Sequence, residues 1–199
     1  MARPARSDHY NTVAVLLHWT IAVLIITNVG YAWYANALHG LQKIPPLQVH
    51  KSIGITVLLL SLARLGWRLA NPPPPLSADL KPWERWLAHA VHLLFYVVMI
   101  GLPLTGWAMV SASATIKIYP ITFFGFGHWP AIAPLSHLPH DQMKQAHETF
   151  ETAHGLLAKL IVYLLFPLHV AGALKHQFLD KDNELARMIP FLRRRGANP

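Results

Sequence analysis

Histidine is the residue through which this sequence could do chemistry. Thirteen of its 199 residues are histidines and none is a cysteine. His18 lies within VAVLLHWTIAV, His50 heads HKSIGITVLLL, and His154 and His169 share the run AHGLLAKLIVYLLFPLHVAGALKH. An imidazole held in apolar surroundings is costly unless it has a partner, and it is the commonest metal ligand among side chains. The lack of cysteine excludes disulfides, haem c attached through C-x-x-C-H, and thiolate-bound zinc or iron–sulfur clusters. Any metal must therefore take its ligands from elsewhere, and histidine is the obvious supply.

The elements that must position these rings are apolar helices. The chain is 53% hydrophobic and 13% charged, against roughly 25% charge in an ordinary soluble domain. About 20 apolar residues cross the hydrocarbon core as a helix. Four stretches reach or approach that length, at about 13–35, 50–69, 83–110 and 152–178. The first is longer than a signal-peptide core, although ANA at 35–37 mimics a cleavage site. NPPPPL at 71–76 forbids helix and makes a stiff connection. A connection over about 111–150, rich in Pro, Gly and aromatics, suits the membrane interface, and 179–199 form a polar, basic tail. The expected fold is a single all-α membrane domain, a four-transmembrane-helix bundle.

Charge sets the expected orientation. Four spans put Arg3, Arg6, Arg64, Arg68, Lys81, Arg85, Lys175, Lys181, Arg187, Arg193, Arg194 and Arg195 on one side and only Lys43, Lys51, Lys117 and Lys144 on the other. The positive-inside rule then puts both termini in the cytoplasm. The net charge of +8 does not point to nucleic acid, because the basic residues flank the apolar runs and form no patch interleaved with exposed aromatics.

Depth follows from these spans. His18 lies near the cytoplasmic side of an outgoing helix and His50 near the outer side of a returning one. His154 and His169 are fifteen residues apart, which is about 22 Å along a helix and within about 60° of one face. Depth therefore pairs His50 with His154 and His18 with His169. Two imidazoles facing across a bundle suit the two axial positions of a b-type haem. Zinc fits worse, since its sites take three or four protein ligands. His9, His39, His128, His137 and His140 read as ordinary loop residues.

LLHW at 16–19, VHKSIGITVL at 49–58, RLGWRLANPPPP at 64–75, LAHAVHLLFY at 87–96 and LHVAGALKHQFLDKDNELARMIP at 168–190 together resemble the bacterial cytochrome b561 family. The resemblance covers all four spans. It implies a multi-pass protein of the bacterial inner membrane with two b haems, ligated by His18, His50, His154 and His169. It also implies electron transfer to or from quinone, and some members oxidise superoxide while reducing ubiquinone. The ligand spacing in the last span is one residue longer here than the family pattern, beside Pro167. A kink or wide turn would absorb that residue, or His147, seven residues before His154, would take the outer position.

The remaining polar groups leave alternatives open. Lys51 either pairs with a haem propionate, or draws in an anion such as superoxide, or snorkels to lipid phosphate. Lys159 has the same choice between propionate and snorkelling. Arg64 and Arg68 read as positive-inside anchors. His92 and His176 suit a quinone site, and His89 reads as a helix-entry residue. Three functions compete: a di-haem electron-transfer protein working with quinone and superoxide or a periplasmic redox partner, a cytochrome anchor relaying electrons for a partner dehydrogenase or hydrogenase, and a transporter. The last lacks the inverted repeat and broken helices it would need.

Overall fold

The structure, a computed structural model, describes residues 10–75, 80–180 and 184–189. His9, Arg3, Arg6, Lys181, Arg193, Arg194, Arg195 and most of the basic tail lie outside the described residues.

Four apolar helical stretches long enough to cross a membrane account for most of the described residues. Helix α1 is Thr12–Ala37, opened by Asn11, whose side chain accepts from the Ala14 amide. Helix α2 is Ile44–Ala70 and follows a 3₁₀ turn at Gly40–Lys43. It begins ahead of the expected start at 50 because Pro45 and Pro46 occupy its first turn, where no amide proton is needed. Helix α3 is Pro82–Ser111, with the Glu84 side chain accepting from the Lys81 amide. A short turn, α4, spans Ala133–Ser136. The last stretch joins α5 (His140–Leu160), a π-helical segment (Ile161–Leu165) and α6 (Phe166–Phe178) without a break, and α7 is Glu184–Met188.

The last stretch starts twelve residues before the expected 152. Its first turns are too polar to read as a span. They still place Met143, Ala146, His147 and Phe150 on one half-buried stripe, the spacing of an amphipathic helix. The outer connection is correspondingly shorter, and it is folded. Ile116 and Ile121 pack with Ile55 of α2, the Ser52 hydroxyl donates to the Thr122 carbonyl, Gln48 donates to the Pro120 carbonyl, and Trp107 donates to the Pro130 carbonyl. This cap closes the end of the bundle beside His50, called the outer end below; the end carrying the proline run is the inner end.

Helix α1 packs on α2, α2 on α3, and α3 on α5. Ile21, Ile53, Val57 and Met99 form the core of the first three helices, and Val98 meets Ile161 and Leu165. Backbone contact between the last helix and either α1 or α2 is slight. The histidines meet between these helices. Val23, Ile26, Leu59, Leu62 and Val97 are exposed on the outside, the apolar exterior that a spanning bundle presents to lipid.

Candidate functional site

Each of the four span histidines is supplied by a different turn of the bundle, and they meet as two pairs. At the outer end the rings of His50 on α2 and His154 on α5 stand 6.2 Å apart, centre to centre, with planes at 84°. At the inner end His18 on α1 and His169 on α6 stand 6.1 Å apart, with planes at 62°. These are the pairs that depth alone predicts. A ring nitrogen lies about 2 Å from a metal it binds and about 1 Å from its own ring centre, so two rings on opposite sides of one ion stand about 6 Å apart. Both pairs meet that spacing.

The outer pair is held by backbone. Nδ1 of His50 lies 3.1 Å from the Asn28 carbonyl, and Nδ1 of His154 lies 2.9 Å from the Leu102 carbonyl. A carbonyl only accepts, so each Nδ1 carries the proton and each Nε2 keeps its lone pair for a ligand bond. Gly106 of α3 makes room for the His154 ring. A Cβ at that position would stand 2.9 Å from Cε1 and 3.1 Å from Nδ1 of the imidazole, closer than carbon atoms tolerate. Neither Gly106 nor the two carbonyls was singled out in the sequence, and a carbonyl leaves no residue-type signal there.

The inner pair lies in a larger cluster. His92 on α3 stands 5.8 Å from the His169 ring, and Phe95 stands 5.2 Å from it on the same helix. Nδ1 of His92 donates to the Ala88 carbonyl of its own helix at 2.7 Å. Nδ1 of His18 is buried with no hydrogen-bond partner among the described residues, so no carbonyl orients this ring as Asn28 and Leu102 orient the outer two. No three His, Asp or Glu among the described residues converge on one point as a metal site, which leaves the sites two-handed.

The π segment accounts for the long spacing in the last helix. Within it the Phe166 amide donates to Ile161, five residues back, and such a turn holds one residue more than an α-helical turn. Pro167 has no amide proton, so the ladder is interrupted at this point in any case. Fifteen residues therefore bring His169 round to the face of His154. His147 takes a different partner, with Nδ1 2.9 Å from the Met109 carbonyl.

The other candidates fall in separate places. Lys51 is half-buried beside His50 with no partner among the described residues, whereas Lys159 is exposed on the outside of the bundle. His176 is two turns beyond His169, with Nδ1 2.8 Å from Oδ2 of Asp180. Asp180 also accepts from Lys175 at 2.5 Å, and Lys175 reaches Glu84 of α3 at 2.9 Å. The Lys175 hydrogen bond, followed by its charge and the contact with His176, holds the Asp180 carboxyl below the usual carboxylate range. His39, His128, His137 and His140 are exposed, and His89 donates to the Arg85 carbonyl.

The family model of prokaryotic cytochrome b561 matches residues 9–191. The chain belongs to the prokaryotic cytochrome b561 family. It is 30% identical over 189 residues to cytochrome b561 homolog 2 of Escherichia coli K12, covering 92% of each chain. It is 29% identical over 187 residues to the probable superoxide oxidase CybB of Yersinia pestis, covering 91% of this chain and 96% of that one. It is 26% identical over 186 residues to cytochrome b562 of Cereibacter sphaeroides, covering 90% and 94%. Membership with four apolar helices makes this a multi-pass electron-transfer protein of the bacterial inner membrane, and membership implies haem b as its cofactor.

Proposed function

We propose that the chain carries two b haems, one between His50 and His154 and one between His18 and His169, and moves electrons between the two membrane faces to or from quinone. The observation that carries this reading is the pair of ring separations, 6.2 and 6.1 Å, each between helices whose backbones otherwise touch little. Haem b, when bound, supplies one-electron redox chemistry that no side chain here offers. The rest is the work of the chain. Asn28 and Leu102 fix the tautomer of the outer rings, Gly106 fixes where the His154 ring sits, and the apolar walls exclude water and thereby tune the potentials.

His154 and His169, fifteen residues apart, separate the two sites by about 20 Å along the helix. At the outer end Lys51 draws anions, superoxide among them, toward the His50 site. At the inner end His92 and His176 bind the quinone carbonyls or pass it protons, with Asp180 orienting His176. The reading takes both termini as cytoplasmic and 1–199 as one domain.

The test is haem extraction and a reduced-minus-oxidised spectrum of purified protein, then superoxide offered together with quinone. Two b haems per chain and formation of quinol support the reading. A colourless preparation would refute it, and two haems without quinol would leave the chain a relay for a partner enzyme.

A further inference from the structure

Arg64 and Arg68 lie one turn apart at the inner end of α2, and they do not behave as lipid-facing anchors. Both are half-buried, and each guanidinium carbon stands 5.9 Å from the centre of the Tyr96 ring on α3. With Tyr10, Trp67 and Met188 they line a cavity of about 100 Å³. Among the described residues neither arginine has a carboxylate within ion-pair distance, although Lys175 nearby holds two. Two like charges one turn apart repel. An aromatic face worth about 0.5–2 kcal/mol does not replace a counter-charge. Buried cations at a membrane helix end call for an anion.

Position says which anion. Along α2, Arg64 is fourteen residues from His50, and along the last helix His169 is fifteen residues from His154, so both lie about 21–22 Å inward of the outer pair. The Tyr96 ring that both guanidinium groups face follows Phe95 on α3, and Phe95 stands 5.2 Å from the His169 ring. The guanidinium fork matches a carboxylate with two parallel hydrogen bonds. We propose that Arg64 and Arg68 bind the propionate carboxylates of the haem held by His18 and His169. The proposal rests on the di-haem reading above. The phosphate of an anionic lipid offers the same oxyanion chemistry, so the test separates the two sources.

The experiment uses the full-length, haem-loaded chain and the variants Arg64→Gln, Arg68→Gln, the double variant and the double Lys replacement. It measures haem per chain, the midpoint potential of the inner haem as a function of pH, and co-purified phospholipid phosphate. A His50→Ala background isolates the inner haem. Losing a cation leaves the reduced haem less compensated by charge and so lowers its potential, and an unpaired propionate becomes free to titrate. The expected result is therefore loss of the inner haem alone, or a lowered potential that newly depends on pH near neutrality, with the Lys pair restoring part of the shift. Unchanged inner potential at every pH, with both haems retained, would overturn the proposal. Loss of phospholipid phosphate at unchanged potential would overturn it in favour of lipid. Should the double variant not fold, Arg64→Gln alone decides by the same potential. Wild-type protein without haem would instead sink the di-haem reading itself.

Discussion

Gly106 carries the sharpest claim at the scale of one residue. A methyl group there would meet the His154 ring at 2.9 Å, and such overpacking typically costs about 1–3 kcal/mol. Gly106→Ala should take haem content from two toward one per chain, with the inner site intact. Haem counting by extraction, with the spectrum of the surviving haem, checks this, and full occupancy of both sites would contradict it. The four span histidines were legible because an imidazole in an apolar run stands out by type. Their supports were not: Asn28 and Leu102 act through carbonyls, which every residue has, and Gly106 acts by what it lacks. For Arg64 and Arg68 the sequence offers only the ordinary topological explanation of a basic residue at a span end. Burial against Tyr96 is what distinguishes them.

The last helix sets the register of the two sites. Its π segment, Ile161–Leu165, makes a fifteen-residue interval serve where a straight helix would leave His169 off axis. Deleting Tyr163, an exposed residue of that segment, should let the turn relax to α-helix and keep both haems. Inserting one alanine after Tyr163 should turn His169 by about 100° and abolish the inner haem while sparing the outer. Both results are read from the haem count, and the reverse pattern would refute the register argument. Pro167 advertised an interruption in the sequence, but not its kind, because proline is compatible with a kink, a break or a wide turn. The polar start of α5 escaped a search for apolar runs for a related reason. Its stripe of Met143, Ala146, His147 and Phe150 is helical in period but too diluted by charge to register as a span.

At the scale of the whole molecule, the four spans were legible from apolar length alone, and the closing of their ends was not. The outer connection reads as an interfacial loop, yet its own Ile121 is buried, and so are Ser52 and Ser111 beneath it. Its order depends on side chains of α2 and α3, 70 or so positions away in the case of Ser52 and Thr122. The inner end is closed by Glu84, Lys175, His176 and Asp180. Because the Asp180 carboxyl is held below its ordinary value, its contribution is fully present above its unfolded pKa of about 3.9. That contribution is lost as pH falls through the lower folded value. Asp180→Asn should thus lower the thermal midpoint slightly at neutral pH, and the two proteins should converge in acid; a difference that grows on acidification would contradict the sign. Reporter fusions at the C-terminus should report a cytoplasmic location, as the arginine and lysine distribution expects.

Haem stoichiometry in two single variants beside the wild type decides whether the two imidazole pairs each hold a haem. Two b haems in the wild type, one in His50→Ala and the other one in His169→Ala, each with its own potential, are expected. Wild-type protein without haem, or variants that lose both haems or neither, would contradict it.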